Sequence, residues 1–124
     1  MILTSTFYSK GLAGKNLVSV ARSNPRWFKG ADCKLLAPSW PLLDDYKSKR
    51  INWDEYVTRY TRDVLDRLDV NKVGLQLDGW ILLCWESPDD PHCHRHIIAQ
   101  WLTRAGYPAE EYTPDQTRAP KVVV

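Results

Sequence analysis

The chain has 124 residues, a formal charge of +2, 44% hydrophobic and 26% charged residues. That length holds one domain with one core, and the apolar content excludes a disordered chain. A charge this small does not by itself argue for nucleic acid, which usually meets a clustered basic face, so the loose run Arg22, Arg26, Lys29 and Lys34 reads first as a solvated surface.

In chain order, Met1 to Tyr8 mixes apolar and β-branched residues and predicts a first strand, released by Gly11 and Gly14. Leu17 to Ala21 is a short apolar run that ends in the turn cluster Arg22-Ser23-Asn24-Pro25, a second and largely buried strand. Residues 26–38 are irregular, and their adjacent Trp27 and Phe28 either fold back on the core or cover a site. Ser39 to Lys49 predicts a short helix with Ser39 as N-cap and Pro41 in the first turn. The next helix starts at the N-cap Asn52, with Glu55 three residues on and an Ile51/Tyr56 staple. Its apolar stripe of Trp53, Tyr56, Val57, Tyr60, Val64, Leu65 and Leu68 predicts an end near Asp69.

Val70 to Leu77 predicts one or two further helical turns, weakened by Gly74. Asp78-Gly79 turns the chain into Trp80 to Trp85, an apolar run too short for a helix and expected as a central strand covered on both faces. A last helix from about His94 to Ala105 stops at Gly106, Pro108 to Tyr112 adds an edge strand, and residues 113–124 form a polar tail. Helical patterns between buried strands predict a small three-layer α/β domain over residues 1–112, with a mostly parallel sheet of about four strands and flanking helices. The three cysteines show no paired spacing, and no basic, apolar leader precedes them. No stretch approaches the roughly 20 apolar residues of a membrane span, so the expectation is a cytoplasmic protein with reduced thiols and no membrane contact.

All three histidines and two of the cysteines fall between Cys84 and His96. In a parallel sheet, ligands gather at the carboxyl ends of strands, where helix N-termini favour anions. Arg95 in the first helical turn and Arg22 at the end of the second strand would then share a phosphate or carboxylate, unless each pairs with a nearby acid such as Glu86, Asp89 or Asp90. At about 100° per residue, the stripe Ile97, Ile98, Trp101, Leu102 and Ala105 centres below His94. His94 therefore points inward, Arg95 and Cys93 flank the stripe, and His96 faces solvent. An inward His94 either bonds a backbone carbonyl or serves as a base, where the helix start disfavours its charged form. Cys93 beside His94 and Arg95 is a candidate nucleophile without the spacing of a phosphatase loop, and Cys84 within the strand reads as a buried, inert thiol. The spacing of Cys84, His92, Cys93, His94 and His96 lacks the paired arms of a structural zinc site, so no metal is expected.

Val18 to Ser23, Pro25 to Gly30, Leu36 to Ser39, Leu82 to Glu86 and Cys93 to His96 together resemble the DUF488 family of bacteria and phages. The resemblance spans most of the chain and implies a small α/β fold. It also implies Arg22, Cys84, Glu86, Cys93, His94 and Arg95 as signature positions, and it supplies no reaction. The loop Ser87 to His92, with its Pro-Asp-Asp-Pro turn, departs from the family pattern. The leading expectation is a small anionic ligand, a nucleotide for example, held by Arg22 and Arg95, stacked on Trp27 or Trp85, with His94, Glu86 and Cys93 as the chemical groups. The alternative is a module that contacts protein or nucleic acid through the tryptophan-rich loop 26–40. Neither a cofactor nor an oligomeric state is legible.

Overall fold

The computed structural model describes residues 1–87 and 90–112. Five strands form one sheet: β1 (Ile2–Thr6), β2 (Leu17–Ser19), β3 (Ala31–Asp32), β4 (Ile81–Cys84) and β5 (Ala109–Glu111). Their order is β3-β2-β4-β1-β5 and every pair is parallel. The apolar run at 80–85 is thus the central strand, and all four residues of β4 are buried. Four helices accompany the sheet: α1 (Trp40–Lys47), α2 (Trp53–Asp63), α3 (Val70–Leu77) and α4 (His94–Arg104). Among the described residues no helix is long and apolar enough to cross a membrane. The polar tail expected at 113–124 lies outside the described residues.

The direction of each crossover decides what covers which face. The connections β3 to β4 and β4 to β5 both advance across the sheet the same way, so right-handed crossovers put α1 to α4 on one face. The connections β1 to β2 and β2 to β3 run the opposite way and put loops 7–16 and 20–30 on the other. The side chains agree: Leu83 and Leu17 meet Phe7, Leu12 and Phe28 around one hollow, whereas Cys84, the next residue along β4, turns toward α4. The sheet is covered on both faces as expected, with loops forming the third layer. Val20, Leu36, Tyr60, Leu82, Ile98 and Leu102 are completely buried between sheet and helices.

Two local expectations need correction. The sheet has a fifth strand, because Ala31–Asp32 pairs with Val18–Ser19 inside the stretch read as irregular. Two exposed residues carry no apolar alternation, and their register is set by Asn24, whose side-chain amide bonds both Ser19 and Asp32. The helix expected to run to Asp69 stops at Asp63, and Leu65–Arg67 is a 3-10 turn that carries the same stripe onward. Asp69 instead starts α3, its carboxylate accepting from the backbone N–H of Asn71 and Lys72. The other two caps are as read: Ser39 accepts from the Leu42 N–H, and Asn52 from the Glu55 N–H.

Asp45 joins α1 to α2. It accepts from Arg59 at 2.8 Å and from Arg50 at 3.0 Å, and these bonds, Arg59 first, hold its carboxyl below the usual range. A lowered folded value means that the stabilisation is complete above about pH 4 and is lost as pH falls through the folded value. Asp45→Asn should therefore melt at lower temperature than the wild type at neutral pH, and the two melting curves should converge in acid. A gap that persists unchanged to about pH 2 would assign the effect to packing instead.

Candidate active site

The carboxyl ends of β2 and β4 open into a cavity of about 460 Å³. β2 leads into Arg22, β4 supplies Cys84, Trp85 and Glu86, and the N-terminus of α4 supplies Cys93 and His94. Helices α1 and α2 close the far side with Trp40, Tyr46, Trp53 and Tyr56, and the loop before α4 adds Asp90 and His92. Such a lining, with aromatic side chains beside several polar and charged groups, is compatible with a small-molecule pocket.

His94 sits at the floor, 3% exposed. Its Nε2 lies 2.7 Å from the Val20 carbonyl oxygen, which can only accept, so Nε2 carries the proton. Nδ1 is then left as an acceptor, and it faces two thiols: Cys84 Sγ at 3.5 Å and Cys93 Sγ at 3.9 Å. Cys84 Sγ in turn lies 3.6 Å from Glu86 Oε1. Burial, with Cys84 beside it, pushes the Cys93 thiol well above its ordinary range, so Cys93 is held as a thiol. Tyr60 packs its ring edge against the His94 ring with centroids 5.6 Å apart. The inward phasing of His94 is therefore as the sequence indicates, and its carbonyl bond fixes the tautomer.

Arg95 is placed otherwise. Its side chain is wholly buried and does not line the cavity. Nε and Nη2 donate to the two oxygens of Glu111 at 3.2 and 3.1 Å, and Nη1 and Nη2 donate to the carbonyls of Glu86 and Ser87 at 2.9 and 3.1 Å. Burial works against the charge, but the Glu111 bonds outweigh it and leave Arg95 with a raised pKa. Glu111 also accepts from the buried Thr4 hydroxyl at 2.6 Å. The expected anion pocket shared by Arg22 and Arg95 is thus not formed: Arg95 pairs with an acid, and that acid is Glu111 on β5. Its structural role is to pin the strand-to-helix loop and the edge strand together.

Arg22 does reach the cavity. Nε and Nη2 donate to the Pro38 and Ala37 carbonyls at 2.8 and 3.2 Å, and Nη1 has no partner among the described residues. Trp85 lines the same cavity and is anchored by Nε1 donating to the Ser23 carbonyl at 2.7 Å. Trp27 lies elsewhere, edge-on to Phe7 and Tyr8 over the hollow on the loop face of the sheet. The aromatic that the cavity gains instead is Trp40, which is 61% exposed. Trp53 is engaged within the protein, stacked against His92 at 4.8 Å and Tyr56 at 5.1 Å. His96, expected in solvent, is half-buried with Nε2 3.2 Å from the Asp90 carbonyl oxygen, and burial lowers its pKa.

Cys84 is buried as its apolar run indicates, but it also lines the cavity, where the sequence indicated an inert core thiol. A cysteine in an apolar run reads as core, yet it is the last residue of β4, where side-chain alternation turns it toward α4 and His94. The usable signal was its position at the carboxyl edge, at the far end of the loop that leads to Cys93.

No curated protein and no solved structure matches the chain. A family model, DUF488-N3a, described as the active DUF488-N3 subclade, matches residues 16–106. That span contains every residue that lines the cavity. On this match, which covers most of the chain and includes the motifs from Val18 to Ser23 and from Cys93 to His96, the chain belongs to the DUF488 family.

Proposed function

We propose that this domain binds a small molecule carrying a phosphate or carboxylate and a flat ring, a nucleotide being the chemistry that fits both, in the cavity at the carboxyl edge of the sheet. The observation that carries this is Arg22: two of its nitrogens are fixed on carbonyls, which holds its guanidinium among the residues that line a cavity with Trp40, Trp85 and a second cation, Lys47. Arg22 holds the anion, Trp40 and Trp85 take the ring, and His94, Glu86 and Cys93, joined by Cys84, form the reactive end. Three free cysteines, two of them adjacent to one imidazole, suit a reducing compartment such as the cytoplasm.

Calorimetric titration with nucleoside mono- and diphosphates, the matching nucleosides and small carboxylates tests this. Phosphate-bearing ligands should bind and nucleosides should not. Arg22→Met should weaken binding at least about tenfold, the worth of one charge-assisted hydrogen bond. If none of these compounds binds, or Arg22→Met binds as tightly as wild type, the reading fails. A contact role for loop 26–40 is favoured by a different observation, the exposure of Trp27 and Trp40 at 55% and 61%. Oligonucleotide quenching of tryptophan fluorescence that survives Arg22→Met would support that module over the cavity.

A further inference from the structure

The floor of the cavity is a ready-made ligand set. We propose that Cys84, Cys93 and His94 bind a single divalent zinc-type ion, with a fourth position open toward the cavity. The inference goes beyond the anion-binding reading and does not depend on it.

Geometry carries the case. The two Sγ atoms and His94 Nδ1 all lie within 4.8 Å of one another. A tetrahedral zinc with ordinary Zn–S and Zn–N bonds places sulfur and nitrogen about 3.6 Å apart along a tetrahedral edge. Here the two sulfurs stand 3.5 and 3.9 Å from Nδ1. Both sulfur–nitrogen edges therefore match a metal site, and the sulfur–sulfur edge, within 4.8 Å, has to close to the roughly 3.8 Å of a tetrahedral ion.

The orientation of His94 is the second, independent observation. A metal-bound imidazole characteristically donates its other N–H to a carbonyl or carboxylate, which fixes ring and tautomer. His94 Nε2 does this with the Val20 carbonyl at 2.7 Å, leaving the unprotonated Nδ1 aimed at both sulfurs. The supports are rigid: Cys84 ends the central strand, and Cys93 and His94 begin α4, whose Cys93 N-cap makes no capping bond with its own side chain. A thiol at an N-cap that leaves the helix end uncapped and turns to a neighbouring thiol and imidazole is placed for a different task.

Two thiolates and one imidazole favour zinc over the hard, oxygen-seeking magnesium or calcium. Three protein ligands with one open position are the pattern of a site that works on a ligand, whereas purely structural zinc is closed by four. Glu86, 3.6 Å from Cys84 Sγ, lines the cavity toward which that position opens. It can accept a proton from a water held in the open position. With His94 Nδ1 on the metal, Glu86 becomes the proton acceptor of the cavity in place of His94.

The spacing of these ligands along the chain argued against zinc, since it lacks two short paired arms. The fold removes that objection by bringing a strand end and a helix start together, so a sequence-distant pair does the work of one arm.

The test uses the full chain, expressed with zinc in the medium and purified with a non-thiol reductant and no chelator. Elemental analysis should give about one zinc per chain. After chelation, added Co²⁺ should produce the near-ultraviolet thiolate charge-transfer band and the strong visible bands of a tetrahedral ion. Cys84→Ser and Cys93→Ser should each lower Co²⁺ affinity by at least about tenfold. Cys33→Ser, which alters the one cysteine outside the triad, should bind as wild type. Circular dichroism establishes that each variant is folded, and the wild-type cobalt spectrum stands even if a variant is not. A metal-free protein whose cobalt spectrum is the weak one of an octahedral ion overturns the proposal. So does full tetrahedral binding in folded Cys84→Ser and Cys93→Ser. The assay contains no organic ligand, so its failure leaves the Arg22 titration to be judged separately.

Discussion

Replacing Arg95 by methionine is expected to lower the free energy of unfolding by about 3 kcal/mol, because it strips one partner from a buried ion pair. Methionine keeps most of the aliphatic volume, so the loss reports the guanidinium and not a cavity. Four hydrogen bonds disappear at once, two to Glu111 and one each to the carbonyls of Glu86 and Ser87. Glu111 is left with only the Thr4 hydroxyl and partial access to water, so its charge is poorly compensated. Lysine should recover part of the loss, since it restores the charge without the planar fork. Urea denaturation of the three proteins decides the matter. A methionine variant within about 0.5 kcal/mol of wild type would mean that the pair contributes no more than a surface contact.

Tyr60 carries the second large effect. It is completely buried, its hydroxyl donates to the Leu36 carbonyl at 2.7 Å, and its ring lies parallel to that of Tyr56 and edge-on to His94. Tyr60→Ala should cost about 4 kcal/mol, combining lost transfer energy with the cavity left beneath the site. Tyr60→Phe separates the two contributions: it keeps the ring and leaves one buried carbonyl without its donor, for about 1 kcal/mol. The alanine variant should also loosen His94, visible as broadening of the His94 ring resonances in NMR spectra of imidazole-labelled protein. If the phenylalanine variant loses as much as the alanine one, the hydroxyl bond and not ring packing holds α2 against the turn at Leu36.

What could be read from the residues follows from the range of the forces involved. The central strand, the caps at Ser39 and Asn52 and the stop at Gly106 are local, and local chemistry specifies them. The break at Val64 was hidden because Leu65 continues the apolar stripe through a tighter turn. β3 was hidden because its two residues are exposed and gain their place from Asn24. At the site, helical phasing gave the inward His94, but the fate of Arg95 depended on Glu111, which reaches it only through the pairing of β5 with β1. Trp27 and Trp40 sit on the same loop and at its junction with α1. Nothing in their neighbours indicates that the first crosses to the loop face while the second joins the cavity.

The place of β1 has a consequence for how the chain acquires its shape. This strand is made first, yet both of its partners, β4 and β5, are made late: Thr4 pairs with Leu82 and with Glu111. During synthesis it must therefore wait, with both hydrogen-bonding edges open, until most of the chain has emerged. Contacts of such sequence separation favour slow folding and leave an interval in which unpaired edges can find other chains. The family match at 16–106 omits both β1 and β5, so a fragment cut to those limits would hold every cavity residue and lack two of five strands. It would expose one side of β4, strand Arg95 without its carboxylate and aggregate in preference to folding. The segment that lines the cavity and the unit that folds have different boundaries.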